Sequence, residues 1–225
     1  FCDTADYKII KKFTKSFLVQ GFTTNPSLMR LAGAKNYENY AKKILKICSN
    51  KPISFEVFAD DADKMIMQGL EIQEWGKNIY VKIPVTNSEG KFSGKAIRYL
   101  SQRHVKLNIT AVYTVQQTRK IIKNLNKDTK SIISIFAGRM ADVGKDPVPI
   151  FKECVKLSTK HKKVQILWAS TREPYNFIQA KQTGCDIITM PAKIIEKISK
   201  FGKTFQSLTV ETVKKFLIDS KKSNF

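Results

Sequence analysis

The chain has 225 residues, 42% of them hydrophobic, and its 40 Lys and Arg against 19 Asp and Glu give a formal charge of +21. This length and apolar content fit one domain of the larger sort with a sizeable core. No stretch is apolar for long enough to cross a bilayer, which argues against a membrane-spanning helix.

The charge invites a nucleic-acid partner, because clustered cations bind phosphodiester backbones and release counterions. Clustering is missing. The doublets Lys11-Lys12, Lys42-Lys43 and Lys162-Lys163 are scattered over expected loops and polar helix faces. Only six of the forty basic residues are Arg (30, 98, 103, 119, 139 and 172), and Lys is the weaker choice for bidentate phosphate reading. Neither a nucleic-acid nor a membrane partner is expected. Cys2, Cys48, Cys154 and Cys185 form no C-x-x-C pair and sit mostly in apolar contexts, as small buried hydrophobes in a reduced compartment do. The opening "FCDTADYK" lacks the basic start and apolar middle of a secretion signal, so a cytoplasmic location is expected. It also lacks an initiator Met, so the chain was processed or its first residues are missing. His104 and His161 lie beside no Cys or carboxylate at ligand spacing, and no dedicated metal site is expected.

In chain order, short β-branched runs predict strands at Phe1 to Asp3, Gly21 to Thr23, Ile53 to Phe58, Ile79 to Ile83, Lys106 to Thr110, Ser131 to Ile135, Val164 to Trp168 and Asp186 to Thr189. Between them, apolar residues three and four apart predict helices such as Tyr37 to Ser49, Ala62 to Trp75, Lys95 to Ser101, Val115 to Leu125, Pro147 to Leu157 and Pro174 to Gln182. Asp60 is placed to cap the helix after the third strand, and Pro174 suits a first turn. A further amphipathic helix near Val210 to Asp219 has no strand to cover, so it docks on the barrel or reaches a neighbouring subunit. No Pro/Gly/Ser-rich linker divides residues 1–225, which are read as one domain. Eight βα units in this order predict an α/β fold, a single (β/α)8 TIM barrel with an extra C-terminal helix.

Chemistry in such a barrel gathers at the carboxyl ends of the strands. Polar residues stand there after seven of the eight: Asp3, Thr23 with Asn25, Glu56, Lys82, Asn108 with Thr110, Ser134, and Ser170 with Arg172. Any single Asn or Ser is explained by turn or capping chemistry; their recurrence is harder to dismiss. Lys82, inside the run "YVKIPVT", either snorkels to solvent or is desolvated. Desolvation would lower its pKa from about 10.4 and make a neutral amine available to attack a carbonyl. A Schiff-base reaction also needs proton carriers, and Asp3 and Glu56 are the available carboxylates. Asp3 has a competing role as a helix cap, whereas Glu56 within "ISFEVFA" has none and would be costly to bury unless bonded or functional. Anion binding is assigned to Arg139 in "FAGRMADVGKDP" and to Ser170 and Arg172 in "ILWASTREP", which are read as opening the helix after the seventh strand. The competing readings are a salt bridge of Arg139 with Asp142 or Asp146 and a surface pair of Arg172 with Glu173.

The motifs "DTAD", "GFTTNPSL", "FEV", "VKIPVT", "LNITAVY", "SIFAGR", "WASTRE" and "GCDIITMP", in this order and spacing, resemble the transaldolases, in particular the short-chain subfamily that includes fructose-6-phosphate aldolases. The resemblance implies that Lys82 forms a Schiff base with the dihydroxyacetone unit of a ketose phosphate, that Asp3 is the acid/base of the carbon-carbon step, and that Glu56 with Thr110 holds the relaying water. It further implies that Asn25, Asn108 and Ser134 bind the dihydroxyacetone hydroxyls, that Thr23 lines the site, and that Arg139, Ser170 and Arg172 clamp phosphate. Where related aldolases have Gln and Tyr, this chain has Glu56 and Phe136. That pair implies transfer from sedoheptulose 7-phosphate or fructose 6-phosphate to an aldose phosphate, as in the non-oxidative pentose phosphate pathway, with aldol cleavage by the same lysine as the alternative. Ala141 departs from the pattern at a place more often acidic, leaving Asp142 alone. No cofactor is implied, and the expected assembly is a homo-oligomer, pentamer or decamer, with the helix at about 209–225 packing on a neighbour.

Overall fold

The β-branched runs become strands and the segments between them become helices. The computed structural model describes residues 1–48 and 51–223. Its strands are β1 (Cys2–Asp3), β2 (Phe22–Thr23), β3 (Ile53–Glu56), β4 (Ile79–Pro84), β5 (Leu107–Val112), β6 (Ser131–Phe136), β7 (Val164–Ala169) and β8 (Ile187–Ile188). The helices are α1 (Tyr7–Thr14), α2 (Pro26–Leu31), α3 (Tyr37–Cys48), α4 (Ala62–Glu74), α5 (Gly94–Gln102), α6 (Val115–Asn124), α7 (Ala137–Ala141), α8 (Val148–Ser158), α9 (Tyr175–Thr183), α10 (Ala192–Ile198) and α11 (Phe205–Lys222). Ser49, at the expected end of α3, lies outside the described residues, as do 224 and 225.

All strands are parallel, in the order β1 to β8. The sheet closes on itself: Cys2 bridges Met190, and Asp3 donates its N–H to the Met190 carbonyl at 2.9 Å. The fold is therefore the expected (β/α)8 barrel. Among the described residues two separate apolar regions hold it. The larger lies between sheet and helices and includes Phe22, Phe55, Val81, Ile109, Ile133, Phe151 and Trp168. The smaller fills the barrel axis with Tyr80, Ile132, Leu167 and Ala169, flanked by Phe1, Phe136 and Ile187. Strand side chains alternate between these faces. Two residues beyond Tyr80 and Ile132 on the axial face come Lys82 and Ser134, so polar side chains follow this apolar cluster toward the carboxyl end, where Phe136 and Ala169 share the mouth with them. Lys106 lies over the Tyr80 ring, 5.6 Å from its centroid.

Some local expectations change. Asp61, not Asp60, caps α4, accepting from the Lys64 N–H at 2.9 Å. The Asp60 carboxylate is taken by Ser88, whose N–H donates to it at 2.8 Å; two adjacent aspartates left the cap ambiguous in sequence. β3 ends at Glu56 rather than Phe58, because the N–H groups of Phe58 and Ala59 turn to the Gln68 side-chain oxygen at 2.8 and 2.9 Å. The first helix is capped by Asp6, whose carboxylate accepts from Ile9 N–H, and this leaves Asp3 free of that duty. α11 begins at Phe205, capped by Thr204, and has no buried residue.

Candidate active site

Lys82 sits mid-strand on β4, only 6% exposed. Pairing of Glu56 with Lys82 across β3 and β4 points both side chains along the same face. The Lys82 Nζ lies 3.2 Å from Glu56 Oε2 and donates to the Thr24 carbonyl at 3.0 Å. It points into the barrel rather than out through the helices, which removes the snorkelling alternative.

Asp3 faces the same space from β1. The Thr23 hydroxyl donates to its Oδ1 at 2.6 Å and also lies 2.6 Å from the Thr189 hydroxyl. Burial raises the Asp3 pKa above the usual carboxylate range, against the opposing pull of the Thr23 hydrogen bond and the Lys82 charge. On β5, Asn108 is fully buried and fixed from two sides: its Nδ2 donates to Ser54 Oγ at 2.9 Å and its Oδ1 accepts from Ser134 Oγ at 2.7 Å. Thr110, two residues on, has a buried hydroxyl with no hydrogen-bond partner among the described residues. Just beyond it the β5–β6 register slips between Ile109 and Val112, and Ala111 takes φ 58°, a strained value for a residue with a Cβ.

The rim is built from the ends of β6 and β7. Arg139 on α7 lies over the Phe136 ring at 5.8 Å from its centroid. Ser170 follows β7 with φ 63°, a second strained residue at the mouth. A Cβ on Gly138 would meet the Ser170 carbonyl oxygen at 1.7 Å, so this approach of α7 to the end of β7 requires glycine. Ser170 and Arg172 precede α9, which begins at Tyr175, and do not open it. The N–H groups of Arg172 and Glu173 are occupied by Asn176 Oδ1 at 2.9 and 3.2 Å. Arg172 pairs with Asp142 rather than Glu173: its Nε donates to Oδ1 at 3.0 Å and its Nη2 to Oδ2. This pairing holds the Asp142 carboxyl below its usual range. Among the described residues Arg139 forms no salt bridge with Asp142 or Asp146.

These groups converge on a cavity of about 190 Å³ lined by Asp3, Thr23, Asn25, Lys82, Asn108, Thr110, Ser134, Phe136, Arg139, Ala169, Ser170, Arg172 and Thr189. Of the residues expected at the site, only Glu56 stays out of the lining, reaching it through Lys82. Asn25 also caps α2, its Oδ1 accepting from Leu28 N–H at 2.9 Å, which leaves its amide nitrogen for the cavity. Thr189 joins the lining without being among the expected residues, although the rule that polar residues end the strands applies to it within "GCDIITMP". The buried thiols of Cys2 and Cys48 are pushed up to about 12 by desolvation and lie outside this lining.

A closed parallel barrel with a lysine, two carboxylates and a basic rim at its carboxyl mouth defines a (β/α)8 enzyme scaffold. The family model described as Transaldolase/Fructose-6-phosphate aldolase matches residues 1–224, and the chain belongs to that family. A probable transaldolase of Thermoplasma volcanium is 36% identical over 225 residues, covering 99% of this chain and 95% of that protein. Probable transaldolases of Methanococcus maripaludis and Leptospira biflexa are each 34% identical, covering 97% and 100% of this chain and 95% and 99% of their own lengths. The protein is thus an enzyme of the transaldolase type, a transferase.

Proposed function

We propose that Lys82 is the nucleophile of a Schiff-base transaldolase that moves a dihydroxyacetone unit from fructose 6-phosphate or sedoheptulose 7-phosphate to an aldose phosphate. The observation that carries this reading is the buried Lys82 Nζ at the barrel mouth, 3.2 Å from the Glu56 carboxylate. Attack on the ketose carbonyl requires the free amine, and Glu56 is placed to accept the ammonium proton. The carbinolamine then loses water as its hydroxyl is protonated through a water held between Glu56 and Thr110, whose hydroxyl is buried and unpaired.

The resulting protonated imine draws the electron pair of the adjacent carbon-carbon bond toward nitrogen. Asp3 takes the proton of the hydroxyl on the departing carbon, the bond breaks, and an aldose phosphate leaves as aldehyde. The raised Asp3 pKa supports this assignment, since a carboxylate that favours its proton is the stronger base. The acceptor aldehyde enters, the bond forms in reverse, Asp3 returns the proton, and water releases the product from Lys82. The fixed amides and hydroxyls of Asn25, Asn108 and Ser134 suit the dihydroxyacetone hydroxyls, with Thr23 aligning Asp3, and Phe136 leaves the mouth without the phenol of the aldolases. Arg139, Ser170 and Arg172 bind the phosphate through their side chains, and the backbone N–H groups of Arg172 and Glu173, already taken by Asn176, are not part of the clamp. The enzyme works as one domain over residues 1–225, assembled with copies of itself.

Borohydride trapping with fructose 6-phosphate, followed by peptide mass mapping, tests the nucleophile. The expected product is a reduced adduct on Lys82; an adduct on another lysine, or none, rejects the reading.

A further inference from the structure

Glu56 ends β3 at a place where the sheet has lost one neighbour. In a parallel strand the N–H and C=O of alternate residues face the same side. Ser54 faces β2, and its carbonyl accepts from Thr24 N–H at 3.2 Å. Glu56, two residues on, faces the same way, but β2 stops at Thr23 and Asn25 already caps α2. The Tyr37 hydroxyl, from the first turn of α3, fills the gap: it accepts from Glu56 N–H at 2.9 Å and donates to Glu56 O at 3.1 Å.

One phenol thus replaces a missing strand partner on both backbone groups of the residue whose carboxylate meets Lys82. Its ring is held by edge contacts with Phe55, Phe58 and Trp75, at centroid distances of 6.2, 4.4 and 5.6 Å. Neither hydrogen bond is available to phenylalanine.

Resting on the Schiff-base reading above, we propose that Tyr37 is a positioning residue that fixes the Glu56 peptide so that its carboxylate serves proton transfer at Lys82. It touches no substrate. Its loss should therefore slow imine formation and leave substrate binding intact.

The test compares Tyr37→Phe with Trp75→Phe, which disturbs the same aromatic packing but spares the hydroxyl and removes an indole N–H that is buried without a partner among the described residues. Tyr37→Phe is expected to lower kcat, and the rate of borohydride-trappable adduct formation with fructose 6-phosphate, about ten- to a hundredfold. KM should stay within about twofold, as for a group outside the binding contacts. Trp75→Phe should keep kcat near that of the wild type. Unchanged kcat in Tyr37→Phe, or an equal loss in both variants, overturns the proposal. Hydrogen exchange on the unmodified enzyme supplies a measurement that needs no variant: the Glu56 amide should be protected, and exchange at the rate of a free peptide overturns the proposal as well. A wild type that turns over but forms no trappable adduct rejects the Schiff-base reading itself, and with it this one.

Discussion

Lys82→Met removes the amine while keeping an unbranched side chain of similar bulk. It leaves the Glu56 carboxylate, 16% exposed at its side chain, without the cation 3.2 Å away, and the Thr24 carbonyl without its donor. Breaking one partner of a buried pair costs about 3–5 kcal/mol. The small opening at Glu56 lets water in, and Met no longer carries a charge out of solvent, so the lower end applies. At ~3 kcal/mol, and about 2–4 °C per kcal/mol for a chain of this size, the midpoint of thermal unfolding should fall by roughly 6–12 °C. The double variant Lys82→Met/Glu56→Gln buries neither charge and should recover most of that loss. Thermal and urea unfolding near neutral pH measure both, beside turnover with fructose 6-phosphate and an aldose phosphate. Turnover should vanish in both variants. A single variant as stable as the wild type, or a double variant no better than the single, would refute the description of Lys82 and Glu56 as a mutually dependent buried pair; surviving turnover would refute the choice of nucleophile.

Asp3→Asn should abolish transfer yet stabilise the fold. The native Asp3 pKa is raised, so its contribution is full at pH below the usual carboxylate range and is lost as pH rises through the native value, because the unfolded chain gives up its proton first. Urea midpoints against pH should show that decline in the wild type and its absence in Asp3→Asn; parallel curves would contradict it. Asp142→Asn should free the Arg172 fork and strengthen inhibition by inorganic phosphate, while weaker inhibition would mean that Asp142 aims Arg172 rather than competing for it. Purified enzyme should convert fructose 6-phosphate plus erythrose 4-phosphate faster than it cleaves fructose 6-phosphate alone, and the opposite ranking would reassign it as an aldolase.

The barrel and most of its mouth could be read from local pattern, because each βα unit writes its own period and because polar residues ending apolar strands are conspicuous. Lys82, Asn108 and Ser134 stand out for that reason. Thr189 obeys the same rule but is a single threonine in an ordinary strand end, while Asp60 and Asp61 are equivalent caps until Ser88, far along the chain, claims one.

Position along the chain therefore determined the fold, the ring of strand-end residues and the family likeness. Three-dimensional closure decided how those residues are coupled: Arg172 with Asp142 across 30 positions, Asn108 with Ser54 across 54, and Tyr37 with the Glu56 backbone across 19. Such pairings follow from where strands stop and which side their backbone groups face once the sheet is curled, and hydrophobic period carries no record of either.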